Sequence, residues 1–412
     1  MARSVTSARR SATRLPQLVV TSAFAAMLLG ANLAAPLYAG YAKQFGFSTA
    51  VLGLIFGVYA LVLIPSLLVF GQVSDQLGRR PVIAAGLGLA VVASALFAVA
   101  TGAAWLFAAR AVQGLAQGMM SGAATAALTE LVDGNDTRRA ALLATLAQSG
   151  GSATGVLLGG ILAQWAPWPR VLPFLAGIAA CASAAVMLRL VPASSPRQRG
   201  GIQVRRPRVP AEIRGAFVRV GLTAAAVWAV AGLFLSVIPS YAGKLVLHSQ
   251  NLALLGLVAA LILVSSCVAQ LAVRRGVPPA PAQSGGLTLL ALGLLALTLA
   301  APARSAVLLI VAALLAGAGH GVASLAAQDD LTRIAPPEQR AEVSAAFYVC
   351  IYLGVALPVI GIGILAVLTT LYIAVTTFAI VTGLAALAVA GWHLAGHRSG
   401  SGDPADSPER SR

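Results

Sequence analysis

Apolar residues run through this chain in long stretches separated by short polar breaks, and twelve such stretches follow one another, centred near Leu28, Leu61, Val92, Met119, Ser152, Ser183, Val227, Leu263, Leu294, Gly317, Ala356 and Ile380. The breaks carry glycine, proline and charge, as in Gln44 to Ser48, Asp75 to Pro81, Asp133 to Arg139, Pro167 to Arg170, Arg274 to Pro281 and Asp329 to Arg340. A helix needs about 20 apolar residues to cross the hydrocarbon of a bilayer. Each run therefore predicts one transmembrane helix.

Composition supports lipid as the solvent. The 412 residues are 58% hydrophobic and 10% charged, against about 25% charged in a soluble domain. A single core stops growing at roughly 250 to 300 residues, so apolar runs along nearly the whole chain need lipid to cover them. The expected class is an all-α polytopic membrane protein of twelve transmembrane helices.

The longest polar stretch, Pro192 to Arg214, is rich in proline and arginine and divides the runs six and six. It predicts an N-terminal six-helix bundle over 1–191, a central linker over 192–214, a C-terminal six-helix bundle over 215–396 and a disordered tail over 397–412. A weak internal repeat agrees: Gly159-Gly160-Ile161-Leu162-Ala163 is echoed by Gly361-Ile362-Gly363-Ile364-Leu365-Ala366, with Arg139-Ala140 before the first and Arg340-Ala341 before the second. The segment Met1 to Ala35 imitates a secretion signal, but its apolar run continues through Pro36 to Tyr41 and another span follows at once. It is read as an uncleaved first helix.

The formal net charge of +16 would suggest a nucleic-acid partner in a soluble protein, but its placement argues otherwise. With a cytoplasmic amino terminus, the basic residues fall on the cytoplasmic side, and only Lys43, Arg110, Arg170, Lys244 and Arg304 lie elsewhere. The positive-inside rule then puts both termini in the cytoplasm. Arginine outnumbers lysine while alanine and glycine abound, which points to a GC-rich bacterial gene and to the inner (plasma) membrane. Cys181, Cys267 and Cys350 all sit inside apolar runs without ligand spacing. No disulfide, metal site or cofactor is expected.

Three features carry candidate chemistry. Gly71, Asp75, Gly78, Arg79 and Arg80 lie between the second and third runs, where Asp and Arg must reach the membrane surface. Arg110, Gln113 and Gln117 share one face of the fourth run, and a buried arginine there needs compensation. They line a central cavity, or else Arg110 snorkels to headgroups. His320 stands among glycines in the tenth run, either as a proton carrier or as a histidine hydrogen-bonded between close-packed helices.

The Gly71-to-Arg80 loop resembles the best-known loop motif of the major facilitator superfamily, and Arg110-Ala111-Val112-Gln113-Gly114 resembles its Arg-x-x-Gln-Gly element. The chain is most similar to the twelve-helix drug and sugar efflux carriers, from roughly Ser22 to Leu394. Asn32 and Pro36 match a further element of the first span, without its usual carboxylate. Gln76 departs from the basic residue usual after the aspartate. Gly151, Gly155, Gly159 and Gly160 resemble the glycine-rich stretch of antiporters, with Val156 in place of its proline.

The resemblance implies a monomeric secondary active transporter, not an enzyme, that moves a small organic solute by alternating access, in the efflux direction, with proton coupling open. It implies gating by Gly71, Asp75, Gly78, Arg79 and Arg80 with Glu130 and Asp133, Asp75 facing the start of the eleventh helix near Arg340. It implies a substrate cavity of Asn32, Arg110, Gln113, Gln117, Trp228, Tyr348 and Tyr352, with Ser265, Ser266 and Gln270 nearby. Amide, hydroxyl and aromatic groups suit an uncharged or amphipathic solute better than a dicarboxylate. The partners implied are the solute, lipid and, for a coupled cycle, protons. Rival readings are a nutrient symporter or facilitator and a non-transporting membrane sensor or scaffold. An intramembrane enzyme is disfavoured because the spans hold no Ser/His/Asp, HExxH or paired-carboxylate set.

Overall fold

The computed structural model describes residues 2–132, 137–192, 208–273, 277–336 and 339–400. Asp133, most of the expected linker and most of the expected tail lie outside the described residues.

The fourteen α-helices described are α1 Ala2–Asn32, α2 Tyr38–Phe45, α3 Thr49–Leu77, α4 Arg79–Ala98, α5 Ala103–Leu131, α6 Thr137–Trp165, α7 Leu172–Met187, α8 Arg214–Ser236, α9 Ile238–Tyr241, α10 Leu252–Ala272, α11 Pro279–Ala300, α12 Ala306–Ile334, α13 Arg340–Leu368 and α14 Leu371–Gly400. The first span is interrupted. Pro36 has no N–H to donate, and the chain tightens into a 3₁₀ turn at Ala35–Leu37 before α2 resumes.

Among the described residues, eleven spans are long and apolar enough to cross a bilayer, one of them Arg14–Phe45. The twelfth expected helix, α5, is 29 residues long but is not among the eleven. Its physical difference is polarity: Arg110, Gln113, Gln117, Ser121, Thr125, Thr129 and Glu130 all lie on it. Most of these face protein, since Arg110, Gln113, Gln117 and Ser121 are buried.

Local chemistry sets several boundaries. Ser48, Asn251 and Ser305 accept the N–H of Val51, Leu254 and Leu308 at 3.4, 3.0 and 3.2 Å and so cap α3, α10 and α12. Gly78 joins α3 to α4 with φ of 90°, a backbone angle that costs any side-chain-bearing residue strain.

Helix positions repeat along the chain. α10, α12 and α13 start 203 residues after α3, α5 and α6, and α5, α6, α12 and α13 are each 29 residues long. The crossings repeat as well. A Cβ on Gly118 of α5 would stand 2.7 Å from the Leu63 carbonyl oxygen of α3, and one on Gly321 of α12 would stand 2.4 Å from that of Ser266 on α10. Both pairs of helices need glycine to approach so closely.

α1 packs on α5, α6 and α7, and α4 on α5 and α7. Later in the chain α12 packs on α8, α10 and α11, and α14 on α8, α11 and α13. Extensive contact between the earlier and later helices runs through α3 with α13 and α6 with α10. Gly151, Gly155 and Gly159 form a row on α6 against the backbone of Ala25 and Leu29 on α1 and of Leu33 just beyond it, so these glycines serve helix packing.

Candidate functional site: a charged helix end and a polar seam

The first cluster sits where α3, α4 and α5 end or begin together. Arg79, the first residue of α4, is 9% exposed and holds Asp75, Glu130 and Ser74. Its Nη2 pairs with Asp75 Oδ1 at 2.5 Å and Glu130 Oε1 at 3.2 Å. Its Nε also donates to Glu130 at 3.2 Å, and Nη1 donates to Ser74 Oγ at 2.6 Å. Ser74 in turn donates to the Gly71 carbonyl at 2.8 Å. Arg80 donates to the Val191 carbonyl at 3.2 Å, tying the loop to the end of the sixth expected span.

Asp75 is paired within its own loop. Its side chain is 42% exposed, and among the described residues no hydrogen bond runs from it to the start of α13. The sequence set Asp75 against that helix start; here its ion-pair partner is Arg79, four residues on. Arg79 bridges two carboxylates on different helices and so joins α3 to α5 at this end.

The expected cavity set separates into two groups. Asn32, Arg110 and Gln113 are tied to earlier helices. Arg110 is 4% exposed, donates through Nε to the Tyr38 hydroxyl at 2.5 Å, and through Nη1 to Gln113 Oε1 at 2.6 Å and the Ala31 carbonyl at 3.2 Å. The rings of Tyr38, Phe56, Tyr59 and Phe97 surround it at 4.7 to 5.7 Å from guanidinium carbon to centroid. Gln113 donates on to the Gly30 carbonyl at 3.4 Å, and Asn32 to Leu28 O and Ser152 Oγ at 2.9 and 3.1 Å. Snorkelling is excluded by this geometry: the guanidinium is held inside, where cation–π contact and charge-assisted hydrogen bonds offset its desolvation.

The second group lies where earlier and later helices meet. Gln117 on α5 donates to the Tyr352 hydroxyl on α13 at 3.5 Å. Tyr352 stacks on Tyr348 with centroids 6.4 Å apart, and Trp228 of α8 packs in the same apolar cluster. Trp228 meets the His320 ring edge-on at 5.2 Å. His320 Nδ1 and Ser266 Oγ lie 2.9 Å apart, and Gln270 donates to that oxygen at 3.1 Å. Ser265, by contrast, donates to the Leu314 carbonyl at 2.7 Å.

Sequence reasoning overlooked Tyr38, Tyr59, Ser121 and Ser324. The ring box around Arg110 comes from three helices, and periodicity within one helix carries no signal of it. Ser121 and Ser324 had a signal in the 203-residue repeat, since they follow Gln117 and His320 by one turn each.

At the opposite end from Arg79, α6 and α10 touch backbone to backbone. A Cβ on Gly160 would stand 2.6 Å from the Leu252 carbonyl oxygen, and Gln164 Oε1 accepts the Leu252 N–H at 2.7 Å. Arg170 donates to Gln44 at the same end.

Residues 20–359 match the model of the Major Facilitator Superfamily. Among curated relatives, the chain is 33% identical over 130 residues to the cephamycin export protein CmcT of Amycolatopsis lactamdurans, covering 31% of this chain and 27% of that protein. It is 35% identical over 105 residues to the multidrug resistance protein MdtL of Citrobacter koseri, covering 26% of each. The chain thus spans about a quarter of the length of these relatives. Among solved structures it resembles the human organic anion transporter MFSD10, with TM-score 0.73 and 19% identity over 92% of this chain and 99% of that one. It also resembles a POT family transporter in complex with 5-aminolevulinic acid, with TM-score 0.74 and 14% identity over 95% and 97%. At those identities the likeness is one of fold. With the family model matched over most of its length and eleven apolar spans, the chain is a multi-pass membrane protein that belongs to the Major Facilitator Superfamily of transporters.

Proposed function

We propose that the chain is a secondary active carrier that moves a small organic solute by alternating access, working as a monomer in a bacterial inner membrane with both termini cytoplasmic. In this reading α5 is the twelfth span, 1–191 and 215–396 are two six-helix bundles, and 192–214 is the cytoplasmic linker. The 203-residue spacing of helix starts supports two related halves. The Arg79 end is then cytoplasmic and the Gly160 end faces outward.

The observation that carries the reading is Gln117 meeting Tyr352 across the two halves. A buried polar seam between two apolar bundles has little value for packing, and it lies where a rocking motion would expose it to each side in turn. The Arg79 cluster and the α6–α10 contact are the gates of that motion. Asp75 and Arg80, with Gly71 and Gly78 shaping the loop, belong to the first. Export is favoured over uptake because CmcT and MdtL are an export and a drug-resistance protein by name.

Proton coupling is a second reading, and His320, buried with Nε2 unpaired among the described residues, is the group that would carry the proton. The test is transport of a solute panel into everted vesicles with and without a pH gradient. Solute accumulation that collapses with the gradient supports coupled efflux. Equilibration alone indicates a facilitator, and transport in no direction for any solute would sink the carrier reading.

A further inference from the structure

The repeat that relates the helices also relates side chains. Gly114-x-x-Gln117-Gly118 on α5 returns 203 residues later as Gly317-x-x-His320-Gly321 on α12, and Ser121 returns as Ser324. Gln117 and His320 occupy the same place in their halves, each beside a glycine that presses its helix onto a neighbour. Ser121 and Ser324 lie one turn further along the same faces.

All four are at most 5% exposed, and each keeps a polar atom without a hydrogen-bond partner among the described residues: Gln117 Oε1, Ser121 Oγ, His320 Nε2 and Ser324 Oγ. Gln270 Oε1, beside His320, is a fifth. A buried donor or acceptor left unpaired costs about 1 to 3 kcal/mol, so native proteins keep few of them. Five of the nine such atoms among the described residues lie together on α5, α10 and α12.

We propose that Gln117 with Ser121 and His320 with Ser324 are the two symmetry-related faces of one solute subsite, built for an uncharged solute that carries hydrogen-bond donors and acceptors on an aromatic frame. This rests on the carrier reading above and adds the class of solute.

Hydrogen bonding fixes the role of each atom. The Ser266 hydroxyl accepts from Gln270 and, among the described residues, has only His320 Nδ1 as an acceptor for its own proton. In the tautomer with Nδ1 as that acceptor, Nε2 carries the hydrogen. His320 presents a neutral N–H donor, while Gln117 and Gln270 present carbonyl acceptors and the serines present both. Tyr348, Tyr352 and Trp228 supply rings against which a planar solute can stack.

Charge selects against ions. All twelve Asp and Glu residues fall in sequence at the cytoplasmic helix ends, the linker or the tail, so a cationic solute has no carboxylate at the seam. An anion fares no better, because the Arg110 guanidinium is already engaged by Tyr38, Gln113 and Ala31 inside a ring of aromatics. A bare charge of either sign would enter a low-dielectric site unpaired.

The test uses the full-length carrier purified in detergent and three probes on one skeleton: N-(1-naphthyl)acetamide, 1-naphthoate and (1-naphthyl)trimethylammonium. The neutral amide is expected to raise Tm and neither ion to do so, with the shift lost in Gln117→Met, His320→Leu and Ser324→Ala. Without probe, Ser324→Ala should melt at or above the parent temperature, since it removes only an unpaired polar atom, whereas Gln117→Met and His320→Leu also free Tyr352 and Ser266 and should each fall by no more than a few degrees. A fall of more than a few degrees in all three would show that the atoms hold the fold together, and the proposal would fail. It would fail equally if the cation raised Tm, or if no probe did. Parent vesicles that move the naphthyl cation would overturn this inference and leave the carrier reading standing, whereas vesicles that move no solute at all would overturn both.

Discussion

Gln164 Oε1, in the last turn of α6, accepts the backbone N–H of Leu252, the first residue of α10, at 2.7 Å. A side chain of α6 thus satisfies one of the orphan donors at the start of α10. Such a bond stabilises the α6–α10 contact by about 0.5 to 1.5 kcal/mol, and Gly160 one turn earlier keeps the two backbones close enough to make it.

Gly160→Val should therefore hold the outer end open, because its Cβ alone meets the Leu252 carbonyl oxygen at 2.6 Å and backbone cannot yield as a flexible side chain can. Transport should fall on the order of tenfold or more, with the protein still in the membrane. A cysteine in place of Tyr352, in a background without Cys181, Cys267 and Cys350, should react faster with an impermeant thiol reagent added outside. Unchanged labelling would show that Gly160 is no part of an outer gate.

Asp75→Asn removes one of the two carboxylates on Arg79 and keeps the shape of the loop. Stability should change by less than about 1 kcal/mol, since Asp75 is substantially exposed and Glu130 and Ser74 still hold the guanidinium. Transport should drop strongly all the same, as the cytoplasmic clamp is weakened. The check is a cytoplasmic-side cavity probe: labelling no faster than in the parent would remove Asp75 from the gate.

Arg110→Ala would strand the Tyr38 hydroxyl, Gln113 Oε1 and the Ala31 carbonyl inside the bundle. The expected loss of stability is about 2 to 4 kcal/mol, the scale of a charge-assisted bond lost with a neighbour left unpaired. Arg110→Lys should retain part of it, because an ammonium keeps the charge but not the planar fork that reaches three partners. Melting of the purified variants decides this. An alanine variant as stable and as active as the parent would show that the box around Arg110 contributes nothing.

The apolar runs foretold where the helices lie because lipid demands the same chemistry along every span. Polarity hides a helix from that reading, and α5 shows it: its burial between α1, α3 and α4 permits Arg110, Gln113 and Gln117, which lower its mean hydropathy. The loop around Asp75 and Arg79 was readable from its spacing of glycine, aspartate and arginine, though not the pairing of Asp75 with Arg79. Arg110 was not. Tyr38, Phe56 and Phe97 reach it from three different helices, and only the packed chain brings them together. The likeness of Gln117 to His320 lay in the sequence throughout, but it emerges once equal helix lengths fix the register at 203 residues.

His320→Gln separates binding from coupling, because an amide keeps a hydrogen-bond donor and an acceptor but does not titrate. If His320 carries the transported proton, the variant should still exchange solute across the membrane yet lose accumulation driven by a pH gradient. If it presents Nε2–H to the solute, a flexible amide replaces that fixed donor only in part, and exchange and driven transport should fall together, since both need the solute bound. In the tautomer that accepts from Ser266 the second outcome is the expected one: Nδ1 is occupied, and the glycines on either side fix the helix at its neighbours. Paired measurements on the same vesicles give the answer. Selective loss of the driven flux, with exchange intact, would return His320 to the role of proton carrier.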